Sequence, residues 1–225
     1  MDALIFDFDG VVVDSEPIHL RCFQQVLAGV GVRLTTQEYY GKYLGYDDHD
    51  CFLAVAADKG LSVSESQVAE MIAAKTDLVR RAFAEAVCPL PGAVELIRSA
   101  ALAGIPVGVC SGALREEIEM ASKTIGVSEY FRLIVSAQDV SRGKPDPEGY
   151  RLAIQRLSAA CGRRVEACRC VAVEDSPAGI DAAVGAGMKV LAVTNSYPSD
   201  RLRQAGRVVA SLTEVTVAQL EELCC

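Results

Sequence analysis

The spacing of hydrophobic and polar positions changes character twice along the chain. Ala3 to Phe6 is a continuous apolar run, the pattern of a strand covered on both faces in a parallel sheet, and it runs straight into Asp7, Asp9 and Gly10. From Ser15 the period becomes helical. Ser15 is a candidate N-cap with Pro17 in the first turn, Ile18, Cys22 and Val26 recur on one face, and Gly29 and Gly31 close the segment. Residues 35–87 read as helix, most clearly where Val68, Met71, Ile72, Val79, Ala82 and Phe83 form one stripe. Cys88-Pro89-Leu90-Pro91-Gly92 then breaks the chain.

Beyond that break helices and strands alternate. Val94, Ile97 and Ala101 mark a helix face closed by Gly104, and strands are expected over 105–110, 132–136, 170–173 and 190–193. Helices are expected between them, one over 116–123, one with Tyr150, Ala153, Ile154 and Leu157 on its apolar face, and one with Ile180, Ala183 and Val184. Residues 158–169 read as a solvated loop, 208–210 as a short edge strand, and a last helix runs through Leu220. This order predicts an α/β fold, a doubly wound parallel sheet with right-handed crossovers. Residues 1–14 and 89–225 would form it, with an all-helical domain inserted over 15–88.

Composition narrows the function. Of 225 residues 51% are hydrophobic and 23% charged, as in a soluble globular protein able to bury a real core. A net charge of -8 argues against nucleic acid or an anionic membrane as partner, since either needs a basic face. No run approaches the roughly 20 apolar residues of a membrane span, and no charged-then-apolar leader precedes the first strand, so a cytoplasmic location and a monomer are the expectations. The nine cysteines lack Cys-x-x-Cys spacing and read as free thiols in a reducing compartment.

Open parallel sheets bind ligands outside the carboxyl ends of their strands. The first strand ends in Asp7 and Asp9, and the second in Cys110-Ser111-Gly112, a hydroxyl beside an unobstructed amide, followed by a helix whose positive N-terminus suits a phosphate oxygen. Lys144 follows in Arg142-Gly143-Lys144-Pro145, expected at a loop tip, and the fourth strand ends in Glu174-Asp175-Ser176-Pro177. Each segment alone is also an ordinary turn or solvated loop; together they occupy successive strand ends. Two close carboxylates repel by about 4 kcal/mol at ~4 Å in an effective dielectric of ~20, so a cation belongs between them. With oxygen ligands and a phosphorylated substrate, Mg2+ is the natural choice.

These four segments, in this order, resemble the motifs of the haloacid dehalogenase superfamily, beginning with Asp-x-Asp-Gly at Asp7 to Gly10. The resemblance covers almost the whole chain. It implies a Rossmann-like core with a helical cap that closes over the site and excludes water, Asp7 as the nucleophile that forms an aspartyl-phosphate, and Asp9 as general acid and then base. It further implies that Lys144 pairs with Asp7 and the phosphate, that Ser111, Gly112 and Ala113 bind phosphoryl oxygens, and that Gly45 and His19 serve the substrate. Asp7, the backbone carbonyl of Asp9, and Asp175 would hold magnesium, with Glu174 acting through water.

The position of the cap and Val13-Asp14-Ser15-Glu16-Pro17 resemble the branch that contains both small-metabolite phosphatases and β-phosphoglucomutase. The lysine and arginine of the mutase pattern fall on Leu44 and Asp48, where a second phosphate would meet repulsion, whereas His19 matches a mutase histidine. The expected activity is therefore Mg2+-dependent hydrolysis of small phosphorylated metabolites such as sugar phosphates. A sugar phosphomutase and a non-catalytic phosphate-binding module are the alternatives. Tyr39, Tyr40, Tyr43 and Tyr46 either line a pocket or pack within the cap.

Overall fold

The structure is a computed structural model that describes residues 1–44, 46–85 and 87–224. Gly45, expected to serve the substrate, lies outside the described residues. The chain divides into two compact units, Met1–Asp14 with Val87–Cys225, and Ser15–Ala86.

The first unit is built on a six-stranded sheet. In chain order it contains β1 (Ala3–Phe6), β2 (Val13–Asp14), β3 (Cys88–Pro89), β4 (Val107–Cys110), β5 (Phe131–Val135), β6 (Cys170–Glu174), β7 (Lys189–Val193) and β8 (Arg207–Val209). The sheet order is β5-β4-β1-β6-β7-β8 with every pairing parallel, while β2 and β3 form a separate antiparallel pair that joins the two chain crossings. β1 lies at the centre, so the chain winds outward from it in both directions and its carboxyl end is the topological switch point. Leu4, Ile5 and Phe6 are fully buried, each contributing roughly 1.5–3 kcal/mol of apolar burial.

Among the described residues five α-helices belong to this unit, numbered after those of the inserted unit: α5 (Ala93–Leu102), α6 (Arg115–Thr124), α7 (Glu148–Cys161), α8 (Pro177–Gly185) and α9 (Val217–Glu222). Three details differ from the pattern of apolar positions. α5 buries Ala93, Leu96, Ile97 and Ala100 rather than Val94 and Ala101, because apolar residues flank its stripe on both sides and leave its phase open by one residue. On α8 Val184 is exposed, and Ile180, Ala182 and Ala183 carry the packing. α7 continues to Cys161, inside the stretch expected to be loop, and ends at Gly162 in the left-handed conformation; the Ser158 hydroxyl donates to the Ile154 carbonyl and accepts from the Val165 amide, and Val165 is buried.

The second unit contains α1 (Glu16–Gly29), α2 (Thr36–Glu38), a π-helical turn over Tyr39–Tyr43, α3 (Asp48–Asp58) and α4 (Glu65–Glu85). Ser15 stands at the N-cap of α1 with its side chain outside any capping bond. The core is formed by Leu20, Phe23 and Leu27 of α1 against Phe52 and Val55 of α3 and Val68 and Met71 of α4, with Val26 at its margin. The tyrosines divide. Tyr39 and Tyr43 are buried and donate to Glu16 and Asp58 at 2.8 and 2.7 Å, and Tyr40 and Tyr46 are exposed. Among the described residues no helix is long and apolar enough to cross a membrane.

Candidate active site

Asp7 follows the last residue of β1, and its amide donates to the Val173 carbonyl of β6 at 2.9 Å, which keeps it in line with the sheet. Its Oδ1 accepts from the Phe8 amide at 2.8 Å and lies 2.9 Å from Lys144 Nζ. The Phe8 carbonyl then accepts from the amides of Val12 and Val13 at 2.8 and 3.1 Å, turning the chain sharply. Asp9 lies inside this turn and bridges to Val13, so the turn rather than a strand pleat places it.

Gly10 is required by the same turn. Its φ is +74°, and a Cβ built on it would stand 1.9 Å from Oδ2 of Asp175.

Asp175 and Glu174 arrive from the end of β6. Ligand oxygens of Asp7, Glu174 and Asp175 lie within 4.8 Å of one another, a group to which Asp9 contributes no carboxylate. Glu174 is fully buried. Its Oε1 accepts from Lys144 Nζ at 2.6 Å and from the Tyr150 hydroxyl at 2.7 Å, and its Oε2 accepts from the Asp175 amide at 3.2 Å. Gly179 makes room for it, since a Cβ there would sit 2.0 Å from the carboxylate. With both oxygens engaged, Glu174 is the counterion of the lysine before it is a metal ligand. Lys144 itself is turned inward onto these acids, not left at a loop tip, because two carboxylates compensate its burial.

The charge balance is unfinished. Burial lowers the Lys144 pKa, but Asp7 and Glu174 outweigh it and hold the ammonium charged. Burial, and then Asp7, push the Asp175 carboxyl up to about 8. Burial raises Glu174 as well. Three carboxylates face one ammonium, and all their donor atoms are hard oxygens, so the site fits a divalent cation such as Mg2+.

At the end of β4 the Ser111 amide donates to the Val135 carbonyl, and its hydroxyl accepts from the Ala113 amide at 3.1 Å. Ser111 is buried, Ala113 half-buried and Gly112 exposed. The N-terminus of α6 is not the open anion site expected, because Glu117 accepts from the Leu114 amide at 3.3 Å and acidic residues fill its first turn.

Several contributors escaped sequence reasoning. The Ser196 hydroxyl donates to Oδ2 of Asp175, and Asn195 Nδ2 to the Gly10 carbonyl at 2.8 Å. Thr194-Asn195-Ser196 follows β7, and the strand-end rule would have flagged it. Tyr150 counted only as an apolar helix position.

In the helical unit, Lys75 is buried within the apolar stripe of α4, 2.5 Å from Asp48, 3.0 Å from His19 Nδ1 and 4.5 Å from the centre of the Phe23 ring. A lone charge among Met71, Val79 and Phe83 was its signal. The pairing offsets the negative charge of Asp48, so the repulsion expected there is reduced.

Residues 4–193 match the family model described as haloacid dehalogenase-like hydrolase. The chain belongs to that family. It is 29% identical over 211 residues to the validoxylamine A 7'-phosphate phosphatase of Streptomyces hygroscopicus subsp. limoneus, covering 94% of each chain. To the phosphorylated carbohydrates phosphatase of Thermotoga maritima it is 28% identical over 235 residues, covering 99% of this chain and 100% of the relative. The crystal structure of CbbY from Rhodobacter sphaeroides in complex with phosphate superimposes with a TM-score of 0.85 at 27% identity, over 98% of this chain and 99% of that one. This haloacid dehalogenase-like protein is an enzyme, a hydrolase of phosphoric monoesters.

Proposed function

We propose that the protein is a Mg2+-dependent phosphohydrolase of small phosphorylated metabolites such as sugar phosphates, working through an aspartyl-phosphate on Asp7. The observation that carries this reading is the placement of Lys144 between Asp7 and Glu174, with Asp175 in the same cluster. Two donors on Oδ1 fix the plane of the Asp7 carboxylate and leave Oδ2 to attack phosphorus. As the phosphoryl group transfers to Asp7, its leaving oxygen takes a proton from Asp9; Asp9 then takes a proton from the water that cleaves the acyl-phosphate. Lys144, kept charged by Glu174, offsets the negative charge gathering on the phosphoryl oxygens. The Ser111 hydroxyl and the Gly112 amide supply donors to those oxygens, and the Ala113 amide orients that hydroxyl.

Asp7, Asp175 and the backbone carbonyl of Asp9 would hold the magnesium, which when bound supplies electrostatic stabilisation of the phosphoryl group. The substrate class in this reading is small phosphorylated metabolites such as sugar phosphates. Likeness to the phosphorylated carbohydrates phosphatase of Thermotoga maritima supports this substrate class.

The test is phosphate release from a panel of phosphorylated metabolites by wild type, wild type with EDTA, and Asp7→Asn. Release is expected from wild type alone. Interconversion of sugar 1- and 6-phosphates without release would make it a mutase, and absence of any turnover would leave a binding module.

A further inference from the structure

Asp139 lies outside the acidic cluster, yet its carboxylate ties together three segments. Oδ2 accepts from the Ser136 amide at 2.9 Å, the Ser136 hydroxyl at 2.7 Å and Arg115 Nη2 at 2.9 Å, and Oδ1 lies 2.8 Å from Arg156 Nη1. Ser136 follows β5, Arg115 begins α6 and Arg156 belongs to α7. Burial would raise the Asp139 carboxyl, but Ser136, Arg156 and Arg115 together hold it well below the usual carboxylate range.

One of these contacts, through Arg115, anchors the end of the loop from Ser111 to Leu114. Two further bonds join that loop to the residues beside Asp139: the Ala137 amide donates to the Ala113 carbonyl at 3.1 Å, and the Arg115 amide donates to Gln138 Oε1 at 3.2 Å. Packing holds Gly112 hardly at all, since a Cβ built there would meet no atom within 4 Å. A loop without side-chain packing keeps its amides in place through polar anchors, and those at its ends limit its swing. Here those anchors are the Ser111 amide on Val135 and the Arg115 guanidinium on Asp139 and on the Ile134 carbonyl, at 2.9, 2.9 and 2.8 Å.

We infer that Asp139 is a positioning residue that acts through Arg115 to hold in place the loop whose Ser111 hydroxyl and Gly112 amide bind phosphoryl oxygens. The inference rests on the proposed phosphohydrolase reading and names what aligns its oxygen-binding loop. Arg156 gives the same carboxylate a second arginine, from α7. Asp139 makes no contact with the reacting groups, so its loss weakens binding of every phosphate ester alike and leaves the chemistry of Asp7 and Asp9 in place.

The experiment compares wild type with Asp139→Asn and Arg115→Gln, the latter leaving Asp139 bonded to Ser136 and Arg156. Three quantities are read: KM and kcat for one hydrolysed ester, inhibition by inorganic phosphate, and hydrogen exchange of the amides at 112–115. We expect KM and the phosphate inhibition constant to rise together by about tenfold, kcat to change by less than about threefold, and exchange to quicken at 112–115 but not in β1 or β6. Unchanged KM and phosphate inhibition in a folded variant, with wild type active, overturns the role of Asp139 and spares the phosphohydrolase reading. A fall in kcat alone also overturns it. A wild type that neither hydrolyses phosphate esters nor binds phosphate ends the phosphohydrolase reading and this inference with it.

Discussion

The ammonium of Lys144 lies 2.6 Å from Oε1 of Glu174, closer than its 2.9 Å approach to Oδ1 of Asp7. Glu174 is fully buried and also takes the Tyr150 hydroxyl, so it supports the lysine rather than reacting. Removing Glu174 leaves Lys144 paired with Asp7 but strips the buried Tyr150 hydroxyl of its acceptor, at a cost of about 1–3 kcal/mol. Glu174→Ala should therefore destabilise the protein by about that amount in urea unfolding. Glu174→Gln keeps shape and one acceptor, and should lose about 10- to 100-fold in turnover with a smaller loss of stability. Wild-type turnover in Glu174→Gln would show that Lys144 needs no such support.

Gly10 and Asp175 meet through absent atoms. A methyl group on Gly10 would overlap Oδ2 of Asp175 at 1.9 Å, and the residue would have to hold a φ of +74° that costs L residues roughly 1–2 kcal/mol. Gly10→Ala should accordingly lower stability by about that much and displace Asp175 from the cluster. The Mg2+ concentration for half-maximal activity should rise by about tenfold or more. An unchanged Mg2+ requirement in a folded Gly10→Ala protein would remove Asp175 from the metal site.

His19 makes the helical unit sensitive to acid. Burial, and then the Lys75 ammonium beside Nδ1, lower its pKa to about 3. In the unfolded chain the ring titrates near ~6.5. Between these values the unfolded state binds a proton that the folded state refuses, so stability rises with pH. The contribution is complete above ~6.5 and is lost as the pH falls toward 3, by at most ~1.4 kcal/mol per pH unit. The unfolding midpoint of wild type should drop between about pH 7 and about pH 5, and that of His19→Gln should drop less. Parallel curves would exclude His19 as the group responsible.

Much of this architecture was legible in the order of residues. Buried strands in parallel sheets are short, apolar on both faces and bounded by polar strand ends, so β1, β4, β6 and β7 stand out, and so do the groups at their carboxyl ends. Asp7, Ser111, Lys144 and Asp175 could be named because each follows such a strand or a proline-marked loop. The phase of α5 could not be, because an alanine-rich helix offers nearly equal apolar faces. Lys75 and Tyr150 were hidden for a related reason: a polar atom in an apolar stripe carries meaning only once its partner from another element is known.

The chain's own order of residues thus determined which chemical groups exist and at which end of the sheet they gather, since periodicity and chain direction are local properties. Only the tertiary structure decided how those groups divide their work. It paired Lys144 with Glu174 before Asp7, brought Asp175 against Gly10, and tied the Ser111 loop to Asp139. Each of these depends on distances between segments far apart in the chain, and such distances are set by packing.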